Sequence, residues 1–206
     1  MQKLENLSMK ELYIILLRYY KRPINRVRLL WSIEEEELEK LDRYIDLLDN
    51  PHIRLSIMER LLELGLSIDK LVEAMDWRGF ESLVSEFFRS YGYKVYGGYR
   101  IRRFEYDIIA VKGDILISID CKHWDRPLPP SKARDIAKML IRRSREINID
   151  RRFKGKKIYM AIISMRGETP RFIDGVALIP ILYIKNFIEE IPSLIYLGYL
   201  KEANEL

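Results

Sequence analysis

Four side chains that together could hold a metal ion and activate water lie between residues 80 and 122. They are three acids and one lysine: Glu81 in FESLVSEFF, Asp107 in FEYDIIAV, and Asp120 and Lys122 in ILISIDCKHW. Carboxylate oxygens are the ligands that Mg²⁺ prefers, and a bound divalent cation acidifies water. An ammonium group two residues after the last acid can hold or activate that water. The pattern therefore predicts a hydrolytic metal site.

The two aspartates are predicted to lie on a β-hairpin. Gly113 separates two apolar runs, residues 106–111 and residues 115–119. Two such runs joined by a short glycine-containing segment are typical of a hairpin. We expect Lys112 and Gly113 to form a two-residue turn.

This turn sets a register that can be tested. Val111 is then paired with Asp114, which places Asp107 opposite Ser118. Asp120 shares the face of Ser118, because side chains alternate between the two faces of a strand. The aspartates are predicted to be diagonal neighbours, near enough to share a cation. A slip of one residue would put them on opposite faces.

The third acid, Glu81, is predicted to come from the preceding helix. Apolar residues recur there at helical spacing, and Gly92 supplies a stop: Phe80, Leu83, Val84, Phe87, Phe88 and Tyr91. This stripe should pack on a sheet. Glu81 follows Phe80 at the edge of the stripe, so it can face the hairpin without full burial.

The order of a helix Glu, a strand Asp and an acid-x-Lys motif resembles the PD-(D/E)XK nuclease superfamily. The segments RGFESLVSEFFRSYGYKV, YDIIAV and IDCKHW are most similar to Mrr-type restriction endonucleases, with archaeal Holliday junction resolvases as close cousins. The resemblance extends over about residues 77–190. It includes the strand KIYMAIIS and the segment VALIPILYIKNFIEEI, which is similar to the closing strand and helix of Mrr-like domains.

The resemblance implies a role for each residue of the motif. Glu81, Asp107 and Asp120 would be ligands of Mg²⁺ or Mn²⁺, and the backbone carbonyl of Cys121 would be a further ligand. Lys122 would be the catalytic lysine. All four side chains would then be catalytic residues of a metal-dependent phosphodiester hydrolase.

The chain departs from the family pattern at two positions. Tyr106 stands where the motif has proline, and position 120 is Asp where the superfamily often has Glu and Mrr relatives often have Gln. Neither departure removes a required ligand. The shorter Asp120 could alter the metal preference or the placement of the water, which would affect the rate more than the reaction.

The charge distribution indicates a nucleic-acid partner for the second part of the chain. Residues 1–76 contain 12 basic and 15 acidic residues, a net charge of −3, whereas residues 77–206 contain 24 and 16, a net charge of +8. Within residues 126–157, 12 basic residues stand against three acids. Such an excess is typical of a phosphate-binding surface.

Two groups of basic residues are predicted to bind nucleic acid. The first lies on a helix that Ser131 is expected to cap, with an apolar stripe formed by Ile136, Met139, Leu140 and Ile147; its basic residues are Lys132, Arg134, Lys138 and Arg142. The second group follows Gly97 and Gly98 and consists of Arg100, Arg102 and Arg103. The alternatives are a solvated basic face for the helix and ordinary strand-edge charges for the arginines.

The first 76 residues are predicted to form an all-helical accessory domain. Ser8 opens one helix, Ser32 with Glu35 has the pattern of a capping box, and Pro51 begins a further helix. Gly65 is placed at the turn of a helix-turn-helix or of a plain helical hairpin. The acidic, apolar-striped helices fit dimerisation or a protein partner equally well.

These observations predict an α/β chain with a helical domain, residues 1–76, and a nuclease domain, residues 77–206. The nuclease domain should be a mixed sheet flanked by helices, of restriction endonuclease type. We expect a DNA endonuclease of Mrr type, with a branched-DNA resolvase, a catalytically silent nucleic-acid-binding protein or an adaptor as alternatives. One cysteine and no membrane-spanning run predict a cytoplasmic protein. The composition, 33% charged residues, resembles that of archaeal or thermophilic proteins.

Overall fold

The computed structural model describes the chain except for residues 1–3, 5, 25–30, 124–128 and 168–170. The chain divides into two compact units, Met1–Gly79 and Phe80–Leu206. This division lies close to the boundary expected after Asp76, just inside the helix that begins at Trp77. In the described part of the chain, no helix has the length and apolar character needed to span a membrane.

The described residues of the first unit form helices and connecting turns. Its α-helices are α1 (Met9–Tyr19), α2 (Glu35–Asp42), α3 (Pro51–Glu63) and α4 (Ile68–Ala74), and a 3₁₀ helix covers Ile45–Asp49. Leucines and isoleucines of α1 are almost fully buried, as are Leu38, Leu48 and Leu61. The helical character predicted for this region is confirmed.

Two of the predicted helix starts are confirmed and one is wrong. Ser8 and Glu11 form a capping box at α1, with the Ser8 N–H donating to Glu11 at 2.7 Å. Pro51 begins α3, where the Asn50 side chain accepts the His52 N–H at 2.9 Å. Ser32 does not cap α2, because its φ of 49° is left-handed, whereas an N-cap residue requires extended backbone.

Gly65 lies in the connection between α3 and α4, as the sequence predicted. Its φ of +92° is a conformation that residues with a side chain rarely adopt, which explains the glycine at this helix end. The connection is short, since α3 ends at Glu63 and α4 begins at Ile68.

The described residues of the second unit, together with the helix that leads into it, form a six-stranded sheet and three α-helices. The helices are α5 (Trp77–Ser90), α6 (Pro130–Ser144) and α7 (Ile184–Tyr196). The strands are β1 (Lys94–Ile101), β2 (Phe104–Lys112), β3 (Ile115–Lys122), β4 (Lys157–Ser164), β5 (Arg171–Ile173) and β6 (Val176–Pro180). Short 3₁₀ helices cover Arg145–Ile149 and Ile181–Tyr183.

The sheet is mixed, with the strand order β1-β2-β3-β4-β6-β5. Strands β1, β2 and β3 are antiparallel neighbours, β3 and β6 flank β4 in parallel, and β5 pairs with β6 as an antiparallel edge strand. A parallel pair requires a crossover, and α6 supplies the one between β3 and β4. This architecture is the predicted restriction endonuclease-like mixed sheet flanked by helices. The predicted strand KIYMAIIS is β4, and the predicted closing strand and helix are β6 and α7.

The hairpin between β2 and β3 exists, but its turn lies one residue later than expected. Lys112 is still in β2 and pairs with Ile115, so Gly113 and Asp114 form the turn. Gly113 has a φ of +61°, which suits the first loop position of the tight turns that connect hairpin strands. Consequently Val111 pairs with Leu116, and Ser118 pairs with Ile109, not with Asp107.

Helix α6 covers one face of the sheet with an apolar stripe that differs from the predicted one. Ala133, Ile136, Ala137 and Leu140 are buried in a core cluster with residues of the strands. Met139 was expected in the stripe but is 54% exposed, because it lies beyond the edge of the buried face of the helix. The helix begins at Pro130 with Pro129 as its N-cap residue, and not at the predicted Ser131 cap. Proline at the first helical position is favourable, since its missing N–H would be unsatisfied there.

Candidate active site

The ends of β2 and β3 bring Asp107 and Asp120 together. Ile108 pairs with Ile119, and the two aspartates are the next residues along their antiparallel strands, which places them opposite each other. The predicted register was two residues off, an even number, so both aspartates still share one face of the sheet. They are therefore direct cross-strand neighbours and not the diagonal neighbours that we expected.

Asp120 is the most deeply buried acid of the site. The residue is 2% exposed, and both of its carboxylate oxygens contact cations. Lys122 Nζ lies 2.6 Å from Oδ2, and Arg143 Nη2 lies 2.5 Å from Oδ1. A buried carboxylate requires such compensation, because desolvation of an unpaired charge costs several kcal/mol. Asp120 and Lys122, the last two residues of the predicted motif, are therefore in direct contact.

Asp107 is half-buried and is held by the backbone of β3. Its Oδ2 accepts the Cys121 N–H at 2.7 Å. Burial raises the pKa of the Asp107 carboxyl, and the negative charge of Asp120 raises it further. The Cys121 N–H and the charges of Arg143 and Lys122 act in the opposite direction. The two aspartates therefore repel each other inside a desolvated site.

Glu81 projects from the first turns of α5 and is half-buried. Glu81 and the two aspartates all influence the Cys121 thiol. Burial raises the pKa of this thiol, and the charges of Asp107, Glu81 and Asp120 raise it further. Cys121 therefore marks a point that all three predicted metal ligands influence. Its backbone N–H is bound to Asp107, and the metal-binding role of its carbonyl stays a prediction.

The donor set suits a hard divalent cation, although the acids are not assembled around one point. Two desolvated, mutually repelling carboxylates are stabilised by a cation with oxygen ligands. Asp120 Oδ2 makes no hydrogen bond of acceptable geometry to any described residue. However, among the described residues no three acidic, imidazole or thiol groups lie close enough together to hold a metal ion. The three-carboxylate site therefore stays a prediction.

Arg143 is a site residue that we did not predict. It was counted only in the general basic excess of residues 126–157, yet its guanidinium reaches Asp120. A sequence signal was present: Arg143 follows Ile136 by seven residues and Leu140 by three, which places it on the buried row of α6. A charged residue at a buried helical position indicates a specific partner.

Tyr106, at the position of the motif's proline, holds Arg143 in place. Its side chain is fully buried, and its hydroxyl donates to the Arg143 carbonyl at 2.6 Å. The Arg143 guanidinium lies over the Tyr106 ring, 5.7 Å from the ring centre, within the range of a cation–π contact. The substitution of proline by tyrosine therefore connects β2 to α6.

The seven residues predicted to bind nucleic acid are exposed on two elements. Lys132, Arg134, Lys138 and Arg142 lie on α6, and Arg100, Arg102 and Arg103 lie at the end of β1 and in the turn that follows it. Arg102 pairs with Glu146 at 3.2 Å, and the Arg103 guanidinium lies 5.1 Å from the centre of the Phe104 ring. Their role in binding stays a prediction.

The fold and the motif together define a restriction endonuclease-like domain. Residues 72–147 match the family model of the Mrr catalytic domain, which is described as a restriction endonuclease. The match contains all four residues of the predicted motif, from Glu81 to Lys122, and it confirms the resemblance noted from the sequence. No curated protein and no solved structure matches the chain significantly.

Proposed function

We propose that this protein is a divalent-metal-dependent DNA endonuclease of the Mrr restriction type. One observation carries the proposal: Asp107 and Asp120 lie side by side and desolvated, with Lys122 Nζ 2.6 Å from Asp120, inside the segment that matches a restriction endonuclease family. Glu81, Asp107 and Asp120 would hold Mg²⁺ or Mn²⁺, with the Cys121 carbonyl as a further ligand. The ion would polarise the scissile phosphate and acidify a water molecule.

The protein's own side chains would orient the reaction. The Lys122 ammonium, two residues after Asp120 on the same face of β3, would position the attacking water in line with the scissile bond. It would also place a positive charge beside the negative charge that develops on the phosphate. The hydrogen bond from the Cys121 N–H fixes the Asp107 carboxylate, so that its other oxygen would need little reorganisation to bind a cation.

DNA would be held by the exposed basic residues of α6 and of the β1–β2 turn. These elements belong to the unit that carries the motif, and residues 77–206 have the basic excess of the chain. Contacts with phosphates supply most non-specific affinity and weaken steeply with salt. A homodimer would supply two active sites, the simplest arrangement for cutting both strands in one binding event. The helical unit would contact that second copy or a protein partner.

The test is a cleavage assay on a panel of DNA substrates. Supercoiled, linear, branched and single-stranded DNA would be incubated with Mg²⁺, Mn²⁺ or EDTA. We expect cleavage with either metal and none with EDTA. Asp107→Asn, Asp120→Ala and Lys122→Ala should each lower the rate by about a hundredfold or more, since each removes a group that stabilises charge in the transition state.

Asp114→Asn is a matched control, because Asp114 is an exposed aspartate at the opposite end of the same hairpin, where it pairs with Lys157 at 3.2 Å. It should cleave like the unaltered protein. Full activity in both Asp120→Ala and Lys122→Ala would contradict the site assignment. Cleavage restricted to branched DNA would favour a resolvase, and retention of DNA without cleavage in either metal would favour a silent binding protein.

A further inference from the structure

Arg143 brings a positive charge into the centre of the proposed site from a helix outside the motif. Its side chain is 12% exposed, and Nη2 lies 2.5 Å from Asp120 Oδ1. The Tyr106 ring lies beneath the guanidinium, and the Tyr106 hydroxyl binds the Arg143 carbonyl. Arg143 Nη1 also approaches the Glu105 carbonyl at 3.5 Å. Both the charge and the main chain of Arg143 are therefore fixed by β2 and β3.

The two cations around Asp120 have different origins. Lys122 belongs to the motif, lies on the same strand and contacts Oδ2. Arg143 belongs to α6 and contacts Oδ1. Together they neutralise a carboxylate that is 2% exposed and that lies opposite Asp107. Without them, a buried carboxylate next to a half-buried one would be strongly destabilising.

We infer that Arg143 is an internal counter-cation that holds Asp120 in the metal-free protein and competes with a divalent cation for it. The inference rests on the proposed function, because it requires Asp120 to be a metal ligand. A guanidinium in contact with one carboxylate oxygen repels a divalent ion at the same carboxylate. Arg143 is thus a positioning residue that keeps the empty site folded and limits its metal affinity.

The competition predicts opposite effects on stability and on metal binding. Arg143→Gln removes the charge and leaves a shorter polar side chain. In EDTA, the melting temperature of this variant should fall, since one partner of a buried ion pair is lost. Its affinity for Mn²⁺, measured by isothermal titration calorimetry, should rise on the order of tenfold, because a nearby unit charge no longer repels the ion. Saturating Mn²⁺ should also raise its melting temperature by more than that of the unaltered protein.

Arg142→Gln is the matched control. Arg142 is the preceding residue of the same helix and is exposed, so the substitution changes the same charge without touching Asp120. Its Mn²⁺ affinity should stay near that of the unaltered protein. A Mn²⁺ affinity of Arg143→Gln that is unchanged or weaker would overturn the inference, since a residue that only supports the fold cannot raise affinity when removed.

A double-mutant cycle covers the case in which Arg143→Gln fails to fold in EDTA. With Asp120→Asn in the same chain, no buried carboxylate needs the guanidinium, so Arg143→Gln should cost much less stability in urea unfolding than it does alone. Folding of the double variant where Arg143→Gln alone fails would support the counter-cation role. Equal cost in both backgrounds, or failure of both to fold, would assign Arg143 to packing on Tyr106 and overturn the inference.

The two proposals fail in different ways. Unaltered protein that binds no Mn²⁺ in the titration and cuts no substrate would defeat the proposed function together with this inference. Unaltered protein that binds Mn²⁺ and cuts DNA, but whose affinity does not respond to Arg143→Gln, would defeat the inference alone.

Discussion

Single residues of the site serve both the fold and the proposed chemistry. Tyr106 is the clearest case, because it replaces the proline of the related motif and contacts Arg143 through both its ring and its hydroxyl. A proline at this position would supply neither contact. The tyrosine thus fixes the helix residue that neutralises Asp120, and burial raises the pKa of its hydroxyl to about 12, so the group remains a hydrogen-bond donor at neutral pH.

Tyr106→Phe tests the hydroxyl without removing the ring. We expect a loss of about 1 kcal/mol in the free energy of unfolding, since a single buried hydrogen bond contributes about that much. Urea unfolding followed by circular dichroism gives the value. Tyr183→Phe makes the same chemical change at a residue that is 36% exposed and should have little effect. An equal loss in both variants would remove the special role of Tyr106.

At the scale of elements, side-chain contacts connect the β1–β2 hairpin to the segment that follows α6. Tyr99 on β1 donates its hydroxyl to Asp150 Oδ2 at 2.6 Å, and Arg102 pairs with Glu146. The rings of Tyr96, Tyr99 and Phe153 pack edge to face, with centroid distances between 5.3 and 5.7 Å. These contacts fasten the β1–β2 hairpin, which carries Asp107 and the basic turn, to the end of the crossover.

The contact between Tyr99 and Asp150 should make stability depend on pH. The Tyr99 hydroxyl and the Arg152 N–H lower the pKa of Asp150 below its ordinary value of 3.8. Folding therefore favours the carboxylate: this contribution is complete above about pH 5 and is lost as the pH falls through the lowered pKa. Tyr99→Phe should be less stable than the unaltered protein near pH 7, by at most about 1 kcal/mol at this partly exposed site.

The measurement is urea unfolding of both proteins between pH 2.5 and pH 7 (roughly the range over which a carboxylate of this type titrates). The stability difference should narrow as the pH falls. A difference that stays constant over this range would show that Tyr99 acts through its ring contacts, and not through the Asp150 carboxylate.

Helix α6 is the main phosphate-binding element that we propose, and this role can be tested by substitution. Arg134→Gln combined with Lys138→Gln should weaken DNA binding and reduce the slope of log affinity against log salt by about one unit per lost phosphate contact. Fluorescence anisotropy at several salt concentrations gives the slope. Lys185→Gln, an exposed charge on α7, is the control. An unchanged slope in the double variant would assign these charges to solvation.

The charges of the whole molecule are divided between the two units. Residues 1–76 carry a net charge of −3 and residues 77–206 a net charge of +8, and the motif lies in the basic part. A negatively charged helical domain is poorly suited to contact phosphates directly. We therefore propose that the second unit binds and cleaves DNA and that the first unit interacts with proteins.

A truncated chain tests this division. Residues 77–206 should bind DNA with nearly the same salt dependence as the full chain and should cut it with Mg²⁺, because the phosphate contacts that release counterions remain. Anisotropy and the cleavage assay on both proteins provide the comparison, with circular dichroism to verify folding. A folded fragment with a much smaller salt slope would place part of the DNA-binding surface in residues 1–76.

Local sequence patterns were sufficient to predict several secondary-structure elements and the residues of the candidate site. Alternating and helical apolar spacing predicted β2, β3 and α5, because burial on one face of an element imposes a period on its residues. The order Glu81, Asp107, Asp120 and Lys122 predicted the similarity to Mrr-type restriction endonucleases, and residues 72–147 match the family model of the Mrr catalytic domain. The shared face of the two aspartates also followed, since an error of two residues in register leaves the facing of every side chain unchanged.

Only the tertiary structure decided which groups meet. The sequence was compatible with a turn at Lys112 and Gly113 or at Gly113 and Asp114. The structure has the second turn, and its register makes Asp107 and Asp120 direct neighbours. The contact of Arg143 with Asp120 joins residues 23 apart, across a helical crossover. No periodic pattern in the local sequence predicts a contact between residues so far apart in the chain. It results from the packing of α6 on the sheet, which places one buried charge of the helix beside one buried charge of β3.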